Sequence, residues 1–146
     1  MMEQEIKRLW GTCQMSLMDS KEDCDDALFG ICSDLTIKQV EVVNRIPVAV
    51  FSARHSENGF ARALTSYCQE HGIDESDIES APLYVTNAFK SQWFPQFDRK
   101  IRAFVKEKGV KLVILDGCIK ETEEFNELAA ELPIGILALD IRNNND

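Results

Sequence analysis

Three short segments of the chain combine residues that could do chemistry. Ser52-Ala53-Arg54-His55-Ser56-Glu57-Asn58-Gly59 follows the apolar run Pro47 to Phe51. Its serines, arginine, histidine and asparagine are the types that would hold an anion, with Arg54 offering a fork of donors. Ser56 could cap a following helix whose free N–H groups would add to such a site. Asp116-Gly117-Cys118-Ile119-Lys120 follows the run Lys111 to Asp116 and presents both a carboxylate and a thiol. Asn87 closes a third run, Leu83 to Thr86. Together these predict a ligand edge of Arg54, His55, Ser56, Asn58, Asn87 and Asp116, suited to a phosphate-bearing or nucleotide ligand. The bland alternative makes Ser56 a cap, Arg54 a solvated loop cation and Asp116 an acceptor for loop N–H groups. One glycine in the first loop is a weak phosphate signal, because neither G-x-G-x-x-G nor G-x-x-x-x-G-K-[ST] occurs.

Cys118 stands where a nucleophile could be presented, with His55 as its one candidate base. No catalytic residue is assigned on that basis, since no spacing places the two together. The five cysteines, at 13, 24, 32, 68 and 118, are odd in number and contain no C-x-x-C pair. They read as reduced, mostly apolar core residues, which suits the cytosol. His55 and His71, sixteen positions apart, have no cysteine at zinc-finger spacing, so neither a metal nor any other cofactor is expected.

A second group of residues suits recognition rather than catalysis. Phe89 to Phe97 holds four aromatics, of which Trp93 and Phe94 precede a helical stripe; loop aromatics are enriched at interface hot spots. The acids outnumber the bases by 25 to 16, and the excess lies toward the front, where residues 1–34 carry 8 acids and 3 bases, leaving 17 and 13 for the remainder. Asp23, Asp25 and Asp26 are therefore candidate contacts for a basic partner, because opposite charge speeds encounter and fixes orientation. A net charge of −9 disfavours direct nucleic-acid binding, which needs Lys and Arg on phosphates. No apolar run approaches the roughly 18 residues that span a bilayer, and Met1-Met2-Glu3-Gln4-Glu5 lacks the marks of a secretory signal, so neither membrane insertion nor export is expected.

The elements that must position these residues follow from periodicity. Pro47 to Phe51, Leu83 to Thr86, Lys111 to Asp116 and Ile134 to Leu139 read as strands. Between them lie helical patterns: Phe60, Ala63, Leu64, Tyr67 and Cys68 closed by Gly72; Phe97, Ile101, Phe104 and Val105, opened near Pro95 and closed by Gly109; and Phe125, Leu128, Ala129 and Leu132, opened by Thr122. Asp98 and Arg102 stand one turn apart on the middle helix and can pair. The strands lack in/out alternation, as a parallel sheet covered on both faces requires. The class is α/β, a three-layer doubly wound sheet, flavodoxin-like or Rossmann-like, with about four mainly parallel strands. Ile6, Leu9, Trp10, Cys13 and Leu17 predict an amphipathic helix, Asp19 to Asp26 a charged loop or helix start, and Leu28 to Cys32 a short buried turn. Ser33 to Arg45 reads as helix or strand, with helix preferred. One domain over 1–146 is expected, with 1–45 a mostly helical layer packed on a 46–146 β-α-β-α-β-α-β core.

Two partial resemblances accompany this pattern. Arg54-His55 followed by Glu57 resembles the start of the histidine phosphatases, whose arginine–histidine pair is part of the phosphate site. That family also needs a second histidine late in the fold, and His71 falls at the end of the first helix after Ser56 instead. The order of elements from Arg62 to Gly72 and from Gly109 to Asp140 is similar to that of serine-recombinase catalytic domains. Asp116 to Lys120 lacks the paired arginines of that family, and Ser52 precedes Arg54 in the opposite order. Generic α/β topology accounts equally well for the second likeness, and no family is assigned. The residues favour a non-catalytic, regulatory protein-binding domain with a basic protein partner, of which an inhibitor or immunity-type protein is one version. An enzyme or sensor for a phosphate-bearing ligand at the strand edge is the rival.

Overall fold

A computed structural model describes residues 13–37, 46–74, 76, 82–88, 93–118 and 122–142. Five strands form one all-parallel sheet: β1 (Cys13–Met18), β2 (Val48–Ser52), β3 (Leu83–Asn87), β4 (Leu112–Asp116) and β5 (Gly135–Ile141), in the order β1-β5-β4-β2-β3. Four helices connect them: α1 (Lys21–Ile37), α2 (Glu57–His71), α3 (Phe94–Lys108) and α4 (Glu123–Glu131). Every residue of β2 and β4 is buried, so each strand alternates between two cores rather than between core and water. Val48, Val50, Leu112, Ile114, Leu137 and Leu139 meet α1 and α2 on one face. Ala49, Phe51, Val113, Leu115, Ile136 and Ala138 meet α3 and α4 on the other. The expected α/β, doubly wound class is therefore present.

Local chemistry sets the helix limits. Ser56 accepts from the Gly59 N–H at 3.0 Å and opens α2, and Gly72 closes it in the left-handed region at φ 69°. Gly109, at φ 66°, does the same for α3. Thr122 opens α4 without a side-chain capping bond. Among the described residues no helix is long and apolar enough to cross a membrane.

The front of the chain differs from its expected reading. Residues 13–18 form a strand rather than the end of an amphipathic helix; Ile6, Leu9 and Trp10 lie outside the described residues. The sheet accordingly has five strands where about four were expected. The reason is tertiary: β5 has an open edge, and β1 pairs along it from Cys13↔Ile136 to Met18↔Ile141. The Asn126 side chain accepts from the Cys13 N–H at 2.9 Å and fixes where the strand starts. The charged segment after it is the start of α1, capped by Ser20, whose hydroxyl accepts from the Asp23 N–H at 3.2 Å. Leu28 to Cys32 is not a separate turn, because Cys24, Leu28 and Cys32 are one buried stripe at four-residue spacing on a 17-residue helix. Of the segment 33–45, residues up to Ile37 continue α1, and 38–45 lie outside the described residues.

Candidate functional site

Parallel strands place all four helix N-termini beyond their C-terminal ends, and a doubly wound sheet opens a crevice where the direction of winding reverses. Here β2 pairs with β3 on one side and β4 on the other, so the reversal lies between β2 and β4. Ser52, Asn87 and Asp116 end those three strands in register with one another. The strand ends are tied across by backbone bonds from the Ala53 N–H to the Asp116 carbonyl and from the Ala88 N–H to the Ser52 carbonyl.

A buried polar chain crosses this point. Asp116 is fully buried. Ser52 Oγ donates to its Oδ2 at 2.8 Å, and Arg54 Nε donates to its Oδ1 at 2.7 Å. The Cys24 thiol, from α1, faces the same Oδ1 at 3.8 Å. The His55 N–H donates back to Ser52 Oγ at 3.0 Å, which folds the loop over the strand end. Arg54 Nη2 lies 2.9 Å from Asp25 Oδ1, and that oxygen is also 3.1 Å from His55 Nε2. The Arg54 and His55 side chains are each only 12% exposed. Burial opposes the charge on Arg54, but the Asp116 carboxylate and its hydrogen bond outweigh that effect and hold the guanidinium above its ordinary pKa.

Gly117 makes this arrangement possible for two reasons. Its φ of 72° is in the left-handed region, and a Cβ there would stand 2.9 Å from Arg54 Cγ. Arg54 thus lies across the turn after β4 in space that only glycine leaves free. It is a buried partner of Asp116 and not the solvated loop cation of the sequence reading. The expected ligand-edge residues are only partly brought together: Arg54, His55 and Asp116 meet, Ser56 is an exposed cap, Asn58 is exposed on the first turn of α2, and Asn87 is exposed at the end of β3. Ser52 and Asp25 complete the set. The signal for Ser52 was its place at a strand end beside Arg54; nothing local marked Asp25, which reads as surface charge.

Burial raises the pKa of the cysteine thiols, to about 11 at Cys13 and about 12 at Cys24 and Cys118, and further at fully buried Cys32. Cys118 donates to the Phe51 carbonyl at 3.5 Å on the α3–α4 side of the sheet, whereas His55 packs with Phe29 and Phe60 on the α1–α2 side. Pairing of Cys118 with His55 is therefore absent from this geometry. Among the described residues no group of three or more His, Cys, Asp or Glu is arranged to hold a metal ion.

The recognition candidates occupy the same end of the molecule. Trp93 is 73% exposed, while its backbone N–H donates to the Gln96 side chain at 3.2 Å, so an anchored backbone carries a projecting indole. Phe94 instead leans edge-on against Phe125, centroids 4.9 Å apart, at the margin of the α3–α4 core. Phe89 to Gln92 lie outside the described residues, as do Ile119 and Lys120. Asp23 and Asp26 are exposed on α1, and Asp25 is half-buried in the Arg54 pair. Comparison with protein-family models and with curated proteins yields no match.

Proposed function

We propose that the protein is a non-catalytic, regulatory binding module that engages a basic protein partner through the end of the sheet where Trp93 and the acidic start of α1 emerge. The observation that carries this reading is that the charges in the crevice between β2 and β4 are paired within the chain. Both Asp116 oxygens face donors from the chain itself, and Arg54 stands between two carboxylates, Asp116 and Asp25. A site built to bind small anions would leave its cation uncompensated. Among the described residues, the chemistry this end offers to a partner is instead an exposed indole and the surface acids Glu22, Asp23 and Asp26, the combination that steers and anchors a basic partner. Five free cysteines support a cytosolic setting for such a module. The test is to isolate a partner from the native host and measure its affinity by calorimetry. Trp93→Ala should weaken binding by about 2 kcal/mol, the size of an aromatic hot spot, with the unfolding midpoint unchanged. Unaltered affinity removes Trp93 from the interface.

One observation favours the rival, a sensor or enzyme for a phosphate-bearing ligand. Arg54 Nη1 and Nη2 are buried and make no hydrogen bond; the close approach of Nη2 to Asp25 is a charge contact without hydrogen-bond geometry. A phosphate displacing Asp25 would supply the acceptors. Thermal shift with nucleotides and sugar phosphates decides the point, since a ligand that binds only the folded state raises the melting temperature. Absence of any shift leaves the binding-module reading.

A further inference from the structure

Between α1 and α2 runs an open groove of about 520 Å³, with half-buried Tyr67 at its floor, buried Phe29 beneath it, and Glu22, Asp23, Asp26 and Glu70 as walls. Asp25 also borders it but is turned toward Arg54. Among the described residues that line the groove, none is basic. The first-turn acids of α1 have a local reason to be there, because they face the positive end of a helix dipole. Glu70 does not: it lies in the last turn of α2, where the dipole disfavours an anion. The carboxylates are also too dispersed for a single ion, consistent with the absence of a metal-holding cluster among the described residues. Glu22 and Asp26 are one turn apart along α1, and Glu70 faces them from the other wall. Several separate cations satisfy that layout, and the half-buried Tyr67 ring, which stacks on His71 with centroids 4.0 Å apart, gives the apolar stems of lysines and arginines a surface to lie on.

We infer that this groove is the docking site for a basic polypeptide segment of the partner, its arginine or lysine heads pairing with the walls and their stems lying against Tyr67. The inference rests on the binding-module reading and names the surface and chemistry it uses. Charge complementarity selects the occupant: an acidic segment would be repelled by both walls, and an apolar one would leave the carboxylates without counter-charge.

The test uses the intact chain and a fluorescent nona-arginine peptide as probe, read by anisotropy at low salt. Wild-type protein should bind the peptide, more weakly as salt rises. Asp26→Lys/Glu70→Lys should reduce affinity at least tenfold, and Ser66→Arg, which places a resident cation on the groove wall, should do so severalfold. The same charge change on the opposite face, Glu124→Lys/Glu127→Lys, should leave affinity within twofold. Unfolding midpoints check that each variant is folded. No binding by the wild-type protein overturns the inference, and so does an equal loss for both double reversals, which would mean net charge alone. If a Trp93-dependent partner is isolated and its binding survives the groove variants, the groove is wrong and the binding-module reading stands.

Discussion

Two clusters of charge meet at Asp25 and obey opposite rules. On its inner side, Asp116 and Ser52 are buried and Arg54 and His55 largely so, and both Asp116 oxygens face donors, while the Arg54 Nη atoms rely on charge contact with Asp25. On its outer side, Glu22, Asp23, Asp26 and Glu70 are exposed and share one sign. Burial explains the difference: an unpaired charge out of water is costly, so the interior must balance, whereas solvent tolerates an excess that a partner can later use. The inner cluster is a structural strut, and the outer one is a surface for recognition.

The contrast breaks first at Asp116. Asp116→Ala leaves Arg54 buried beside a single half-exposed carboxylate and should cost about 3–5 kcal/mol in urea unfolding, the penalty for removing one partner of a buried ion pair. A loss below about 1 kcal/mol would mean that the strut carries little, and would revive the crevice as a ligand site. Alkali tests the burial half of the argument. The thiols of Cys13, Cys24 and Cys118 have folded pKa values raised from about 9 to about 11 or 12, so the unfolded chain loses those protons first. Stability is therefore fully present below pH 9 and should fall between pH 9 and 11, by roughly 1 kcal/mol per pH unit for each such thiol. Urea unfolding at pH 8, 9 and 10 reads this directly, and a flat profile would mean the thiols are open to water.

Gly117→Ala probes the seat of the arginine rather than its charge. Strain at φ 72° and the 2.9 Å approach to Arg54 Cγ should together cost about 1–3 kcal/mol, seen as a lower unfolding midpoint. An unchanged midpoint would show that the turn relaxes freely. The smallest effect belongs to the outer cluster: Asp26→Asn should shift stability by no more than about 0.5 kcal/mol, as for other exposed positions. A larger loss would make Asp26 part of the strut and erase the distinction.

The sequence carries the two clusters unequally. Helices α2 and α3 and strands β2, β4 and β5 are announced by local signals: Ser56, Gly72 and Gly109 punctuate the helices, and apolar runs mark the strands. β1 is not, because Cys13 and Leu17 happen to fit a helical spacing while the partner that makes them a strand, β5, is more than a hundred residues away. The cysteines of α1 hid its stripe in the same way, since a charged run interrupted by Cys24 does not look amphipathic until cysteine is counted as apolar. At the site, the ends of two apolar strands pointed to Arg54 and Asp116, but their direct pairing needs the β2–β4 neighbourhood, which is a matter of strand order. Asp25 was read as a surface acid, and its inward turn is set only when α1 packs beside α2.

The pairing of β1 with β5 also has a consequence in time. Among the described strands, a chain emerging from the ribosome exposes Cys13 to Met18 before the others, yet their hydrogen-bonding partners, Ile136 to Ile141, follow all of them. Until then the first strand has no edge to join, and α1 must wait with it or dock on an unfinished sheet, since its stripe packs against Leu137 and Leu139 as well as β2 and β4. Closing so long a loop is entropically slow. The nascent protein therefore spends much of its synthesis with an unpaired strand, the state in which edge-to-edge association with other chains competes with correct closure.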